Sequence, residues 1–506
     1  MPEISRRHLL ALGAATIAGA SLTPLAAAGA GRRPTGAGPL DGNPFALGVT
    51  SGDPAPASAV LWTRLTTADG RALDEPDLPL VWELADDDSF SAVTASGEVT
   101  ARAAEGHSVH VVADLAGPAY YRFRLGGDVV SPSGRVAPTP PPGTATSELR
   151  IAAASCQHFE TGFYAAHRDI AEWAPDLVLF LGDFIYEYGS FPTGGAVVRS
   201  HGGAEVTTVD AYRDRYAQYL SDDQLRAARA ACPWLVIWDD HEVDNNYAGL
   251  VPEAVGEIAD FATRRLAGYQ VWWEHMPVRM PRPTSGDDLS IYRATAWGDL
   301  ANLILLDGRQ YRTNQACLDV VLSVDPPCPA VAAESRSMLG AEQEQWLADQ
   351  LAGTTATWPV IGQQTVLTDA RLGEAILNYD QWDGYGPARG RLLDSAGVTE
   401  RTVVLTGDIH LAGVGVLPDV GIEFVSTSIS SGGLVPADLQ DTVTTLGNIY
   451  DIELAHRGYT RHVVTPDGWT AEFRIVDDVT DANSPVSTWK TFFVDPTERD
   501  TVFEYV

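Results

Sequence analysis

Four short polar clusters stand where buried-looking hydrophobic runs stop, and their residue types are those that hold metal ions. Cys156 follows Ile151-Ala152-Ala153-Ala154-Ser155. Asp183 and Tyr186 follow Leu177-Val178-Leu179-Phe180-Leu181-Gly182. Asp240 and His241 follow Trp234-Leu235-Val236-Ile237-Trp238, and Asp408 and His410 follow Val403-Val404-Leu405-Thr406-Gly407. Each run reads as a buried strand of an α/β sheet. Ligand crevices in such sheets lie beyond the carboxyl ends of the strands. The pattern therefore predicts four strands aiming carboxylates, imidazoles, a thiol and a phenol into one crevice. Carboxylates crowded in a dry pocket need cations or protons to coexist. A metal cluster that hydrolyses a phosphate ester is the economical reading.

Composition narrows the alternatives. The formal charge of −33 repels nucleic acid and anionic lipid, so no nucleic-acid surface is expected. Lys490 is the only lysine and no Gly-rich loop precedes it, which removes P-loop hydrolysis and lysine Schiff-base chemistry. Neither G-x-S-x-G nor H-E-x-x-H occurs. Residues 1–30 read as an export signal: Arg6 and Arg7 form a twin-arginine pattern, an apolar stretch follows, and small residues at 26–30 suit a signal peptidase. That points to the twin-arginine export machinery, a periplasmic or extracellular location and no stable membrane anchor. Cys317 and Cys328 flank a short Pro-containing loop and are placed to pair in an oxidising compartment.

The elements that must position the clusters fall into two units. Regularly spaced β-type runs at 59–65, 80–84, 93–99, 107–113 and 120–125 predict an all-β sandwich domain over 43–137. A Pro-rich linker occupies 138–148, and 149–480 alternates strands and helices as a layered α/β sandwich. Helices are expected at 163–172, 260–274 and from Leu339 onward, with hairpins turning at Gly298-Asp299 and at Pro466-Asp467-Gly468. The stretch 190–206 reads as a mobile loop beside the site. Residues 481–506 read as a helix over the site mouth or a segment docked on the β domain.

The motifs Ser155-Cys156-Gln157, Gly182-Asp183-Phe184-Ile185-Tyr186, Trp238-Asp239-Asp240-His241-Glu242 and Gly407-Asp408-Ile409-His410 occur in that order. With the β domain and the signal they resemble PhoD-type alkaline phosphatases, of the wider metallophosphoesterase group. The resemblance implies a secreted alkaline phosphatase or phosphodiesterase that attacks small phosphate esters with a metal-bridged hydroxide. It implies a ferric ion on Cys156, Asp183, Tyr186 and His410, and calcium on Asp183, Asp240 and Asp408, with Asn245 as a further oxygen donor. His241 would be the catalytic histidine beside Asp183. Thiolate, phenolate and imidazole suit a transition metal, whereas calcium takes oxygen donors alone. Zinc or manganese stay open as alternatives. Arg168 and Arg309 are candidate phosphate clamps, since a guanidinium grips phosphate with two parallel bonds. A phospholipase-D-like phosphodiesterase would use the same metals. A non-catalytic secreted calcium-binding or adhesion protein would leave Cys156, Tyr186 and His410 without a purpose. The motifs do not fix the oligomeric state.

Overall fold

The computed structural model describes residues 42–190, 197–254, 260–286, 289–317, 323–395, 402–497 and 501–505. The signal segment lies outside them. Two large mixed sheets carry the molecule. The first has ten strands in the spatial order Val502–Tyr505, Val486–Val494, Gly468–Val476, Arg457–Thr465, Leu149–Ala154, Leu177–Phe180, Pro233–Val236, Val49–Ala55, Ser58–Arg64 and Ser108–Asp114. The second has seven, in the order Arg293–Trp297, Ala301–Leu305, Trp358–Gly362, Thr402–Thr406, Gly421–Val425, Ala412–Leu417 and Ile449–Glu453. Their central strands are parallel and almost wholly buried, which explains the unbroken apolar runs.

Side-chain alternation builds the layers. Leu303, Leu305, Val360, Val403 and Leu405 join one core with Ala152, Val178 and Leu179 of the other sheet. Ile304, Ile361 and Val404 point the opposite way, into a core with Leu347 and Leu351 of the Gly340–Gly353 helix and Leu392 of the Gly386–Leu393 helix. Helices Ala165–Trp173, Val209–Tyr219, Asp223–Ala231 and Phe261–His275 contribute Ile170, Tyr216, Ala228 and Trp272 to the larger core.

Two expectations about organisation are revised. The N-terminal sandwich exists: Val49, Ala59 and Leu61 pack against Leu80, Leu84, Tyr121 and Phe123. One of its two sheets, however, continues the central sheet, because Ser51 and Gly52 pair in parallel with Pro233 and Trp234. Gly52 fits there because a Cβ would lie 2.5 Å from the carbonyl oxygens of Pro277 and Trp234. The 138–148 linker is likewise fastened, with Gly143 N donating to the Gly298 carbonyl and Gly298 N to the Pro140 carbonyl, each at 3.2 Å. Nor is the C-terminal segment a helix. Val486–Val494 and Val502–Tyr505 extend the sheet edge, as their β-branched and aromatic residues permit.

Of the 190–206 stretch, residues 191–196 lie outside the described residues, and the following ones are held in place. Arg199 bonds Asp222 at 2.7 Å and the Gly162 carbonyl at 2.6 Å, and lies 3.9 Å from the Phe159 ring centre. Cys317 and Cys328 are bridged, with Cα atoms 5.7 Å apart. Buried Cys232 is free, and burial pushes its thiol up to about 12, so it is inert. No helix among the described residues is long and apolar enough to cross a membrane.

Candidate metal centre

The four motif loops converge, though not from one sheet. Cys156, Asp183 and Asp240 follow three adjacent parallel strands of the ten-stranded sheet; Asp408 and His410 follow Thr402–Thr406 of the facing sheet. The backbone is contorted to bring them in. Cys156, Asp183, Asp408 and His410 all have φ between 54° and 66°, the left-handed region that non-glycine residues rarely adopt. The motif glycines permit the approach: a Cβ on Gly182 would lie 2.4 Å from Asp239 Cβ, and one on Gly407 2.2 Å from Ser155 Oγ.

Buried polar side chains lock these loops. Glu242 accepts the backbone N–H groups of Asp183 (3.0 Å), Phe184 (2.6 Å) and Asp239 (2.8 Å), fastening two metal loops to one carboxylate. Gln364 accepts from Gly308 N at 3.0 Å and donates to the Trp238 carbonyl at 2.7 Å, while its own carbonyl receives Gly407 N. Tyr219 Oη accepts from Phe159 N and Tyr186 N.

Donor atoms fall into two sets that share Asp183. Cys156, Asp183 and His410 present donors within 4.8 Å of one another. Tyr186 adds its hydroxyl, which donates to Asp183 Oδ2 at 2.9 Å and lies 3.1 Å from His410 Nε2. Asp183, Asp239, Asp240 and Asp408 form the second set, all oxygen, within the same span. Asp183 Oδ1, Asp239 Oδ2 and Asp240 Oδ1 are buried without a hydrogen-bond partner among the described residues. A buried carboxylate oxygen left so is costly unless a cation meets it. The residues therefore fit bound cations.

Electrostatics agree. Burial, then the Asp183 and Asp408 charges, hold the Cys156 thiol well above its usual range. Burial and the surrounding carboxylates raise Asp183, and burial raises Asp408 to about 7 against the pull of Arg309. Tyr186 is raised by burial and by Asp183. Burial takes His410 down to about 3, a neutral ligand whose Nδ1 faces the Gly432 carbonyl at 2.6 Å. Burial alone would raise Asp240, but Arg309 and His241 bring it to about 2. His241 is the contrast: burial would lower it, yet Glu187, Asp240 and Asp183 keep it charged well above the ordinary histidine range.

Arg309 and Arg168 change roles, and Asn245 takes carboxylate partners for its nitrogens. Arg309 is fully buried and no phosphate clamp; its guanidinium contacts Asp239, lies 2.8 Å from Asp380, and sits 3.5 and 3.7 Å from Asp240 and Asp408. Its charge is committed to four carboxylates. Arg168 donates to the carbonyls of Ala482 (3.2 Å) and Ser484 (2.6 Å), so it anchors the loop before the Val486–Val494 strand. Asn245 turns its amide nitrogen to Glu253 at 2.6 Å and its backbone N–H to Glu187. Asp240 instead receives the Asn246 N–H at 2.6 Å.

Sequence reasoning passed over several partners. Glu187 accepts from His241 Nδ1 at 2.7 Å, fully buried, and immediately follows Tyr186. Glu242 immediately follows His241; a carboxylate directly after Tyr186 and after His241 was the available signal. Asp380 and Gln381, which hold Arg309 and Asp408, carry no signal because tertiary packing alone brings them there.

Overlapping soft and hard donor sets at the strand ends, beside a carboxylate-paired histidine, define a metal-binding hydrolase site on a two-sheet α/β fold. The sequence profile of the PhoD-like phosphatase family matches residues 151–473, and that of its N-terminal domain matches 31–140. Alkaline phosphatase D of Bacillus subtilis (strain 168) is 40% identical over 504 residues, covering 95% of this chain and 86% of that protein. A solved structure of PhoD superposes with a TM-score of 0.87 at 38% identity, covering 93% of this chain and 94% of the other. The chain belongs to the PhoD-like phosphatase family and is a phosphoric ester hydrolase.

Proposed function

We propose that this enzyme is exported by the twin-arginine route and cleaves small phosphate esters. In this reading a ferric ion is held by Cys156, Asp183, Tyr186 and His410, and calcium by Asp183, Asp240 and Asp408. The carrying observation is the sharing of Asp183 between a thiol–phenol–imidazole set and an all-carboxylate set. Such bound cations supply charge for the phosphoryl oxygens and an acidified water. The donor layout supports a metallophosphoesterase-like reading of the fold.

The chain's own residues do the rest. Glu187 holds Nδ1 of His241, leaving Nε2 as the nitrogen that meets the substrate. A charged His241 is set to give its proton to the leaving oxygen. Tyr186 stacks on that imidazole, ring centres 4.0 Å apart, and limits its rotation. Arg309 neutralises carboxylate charge from behind, so the anionic ester meets a less negative site. The test is elemental analysis of the purified enzyme together with the Asp183→Asn variant on 4-nitrophenyl phosphate. Iron with calcium, and loss of both metals and turnover in the variant, are expected; near-normal turnover in the variant would end this reading.

A further inference from the structure

A pocket with about 870 Å³ of empty space, counting its solvent-open mouth, borders the metal-centre loops at the seven-stranded sheet. Its walls are mainly aliphatic, with Ile409, Leu411, Val425, Leu446 and Ile452 prominent. Three of its wall segments are also segments of the metal centre. Ile409 stands between Asp408 and His410 in sequence. Gln381 donates to Asp408 and accepts Val366 N at 2.7 Å, and both Gln381 and Val366 line the cavity. Leu434, 40% exposed at the rim, lies two residues from Gly432, whose carbonyl faces His410 Nδ1. The cavity therefore borders the segments that carry and brace Asp408 and His410.

We propose that this cavity is a subsite for the apolar organic group of the ester, so that the enzyme favours phosphate esters of alkyl or similarly apolar alcohols. The inference rests on the phosphate-ester reading and deepens it. A phosphate at the metal ligands is polar on every side, and only its organic substituent gains from an aliphatic wall. Ile409 adjoins both Asp408 and His410 in the chain and Gln381 bonds Asp408, so the aliphatic wall stands next to the ligand loop. Buried methylenes contribute additively until the space is filled.

Linear alkylphosphonates from methyl to octyl, as competitive inhibitors of 4-nitrophenyl phosphate hydrolysis by the metal-loaded enzyme, test it. The inhibition constant should fall roughly fourfold per methylene and then level off. Gly413 lines the cavity, and a Cβ there meets nothing closer than 3.5 Å, so Gly413→Leu fills the space without a backbone clash. The variant should weaken octylphosphonate while leaving methylphosphonate and basal turnover unchanged. Leu434→Asp, at the exposed rim, should flatten the series in the same way. Equal inhibition by methyl- and octylphosphonate in the unmodified enzyme overturns the subsite, as does an undiminished chain-length slope in both variants. Absence of any 4-nitrophenyl phosphate hydrolysis would instead overturn the underlying reading.

Discussion

Replacing Arg309 with Met tests whether the carboxylate nest depends on a built-in cation. Arg309 is fully buried, with Asp239, Asp240, Asp380 and Asp408 around it, and Asp380 is shared with Arg312 at 3.0 Å. Methionine approximates the stem but removes the charge. Breaking a buried ion pair from one side costs about 3–5 kcal/mol, because the remaining charge is stranded. For a chain of this length the unfolding entropy is on the order of 1 kcal/mol/K, so the loss corresponds to about 3–5 °C in Tm. The sign of the pH dependence follows from Asp408. Its folded value of about 7 lies above the ordinary 3.8, so the folded chain keeps a proton that the unfolded chain has released. That stability is complete below the unfolded value and is lost as pH rises through the folded one. Without Arg309 the folded value rises further. The deficit should therefore be largest at pH 8 and shrink toward pH 5. Thermal melts of chelator-treated protein at both pH values measure it. Added calcium should offset the deficit, and Arg309→Lys, which keeps the charge but loses the fork, should fall between. A Tm within about 1 °C of the unmodified protein at pH 8, or a deficit independent of pH, would refute the reasoning.

Three further outcomes are expected. Glu187→Gln should lower kcat about 10²-fold on an alkyl phosphate, whose leaving oxygen needs a proton, and less than about tenfold on 4-nitrophenyl phosphate; equal losses on both would contradict proton donation by His241. Tyr186→Phe should remove the phenolate-to-iron part of the visible absorption of the iron-loaded enzyme and leave a thiolate-to-iron band, with the fold retained by circular dichroism; an unchanged spectrum would remove the phenol from the ligand set. Gly407→Ala should lower both Tm and calcium affinity, since its Cβ would lie 2.2 Å from Ser155 Oγ, whereas Gly390→Ala, helical with nothing within 4 Å, should be neutral or slightly stabilising.

Much of the site was legible because buried parallel strands leave a plain signature. Leu177–Phe180, Pro233–Val236 and Thr402–Thr406 are short apolar runs, and the residues after them had to face whatever lies beyond the strand ends. The five predicted strands of the N-terminal region match Ser58–Arg64, Leu78–Ala85, Val93–Ala101, Ser108–Asp114 and Ala119–Leu125 to within two residues. Strand Val49–Ala55 was missed: Gly52, Asp53 and Pro54 interrupt its apolar pattern, yet the strand is bulged there and joins the two units. The arginines misled because a guanidinium has the same sequence signature whether it grips a substrate or a buried aspartate.

Sequence alone determined the donor types, their places at strand ends and hence the chemistry they suit, because hydrophobic runs and their polar stops are local properties of the chain. Tertiary structure alone decided that the facing sheet supplies Asp408 and His410, that Glu187 holds His241, and that Arg309 serves four aspartates instead of a substrate. Those groupings join residues up to 254 positions apart, as Cys156 and His410 are, and only the packing of two complete sheets sets distances across such a gap.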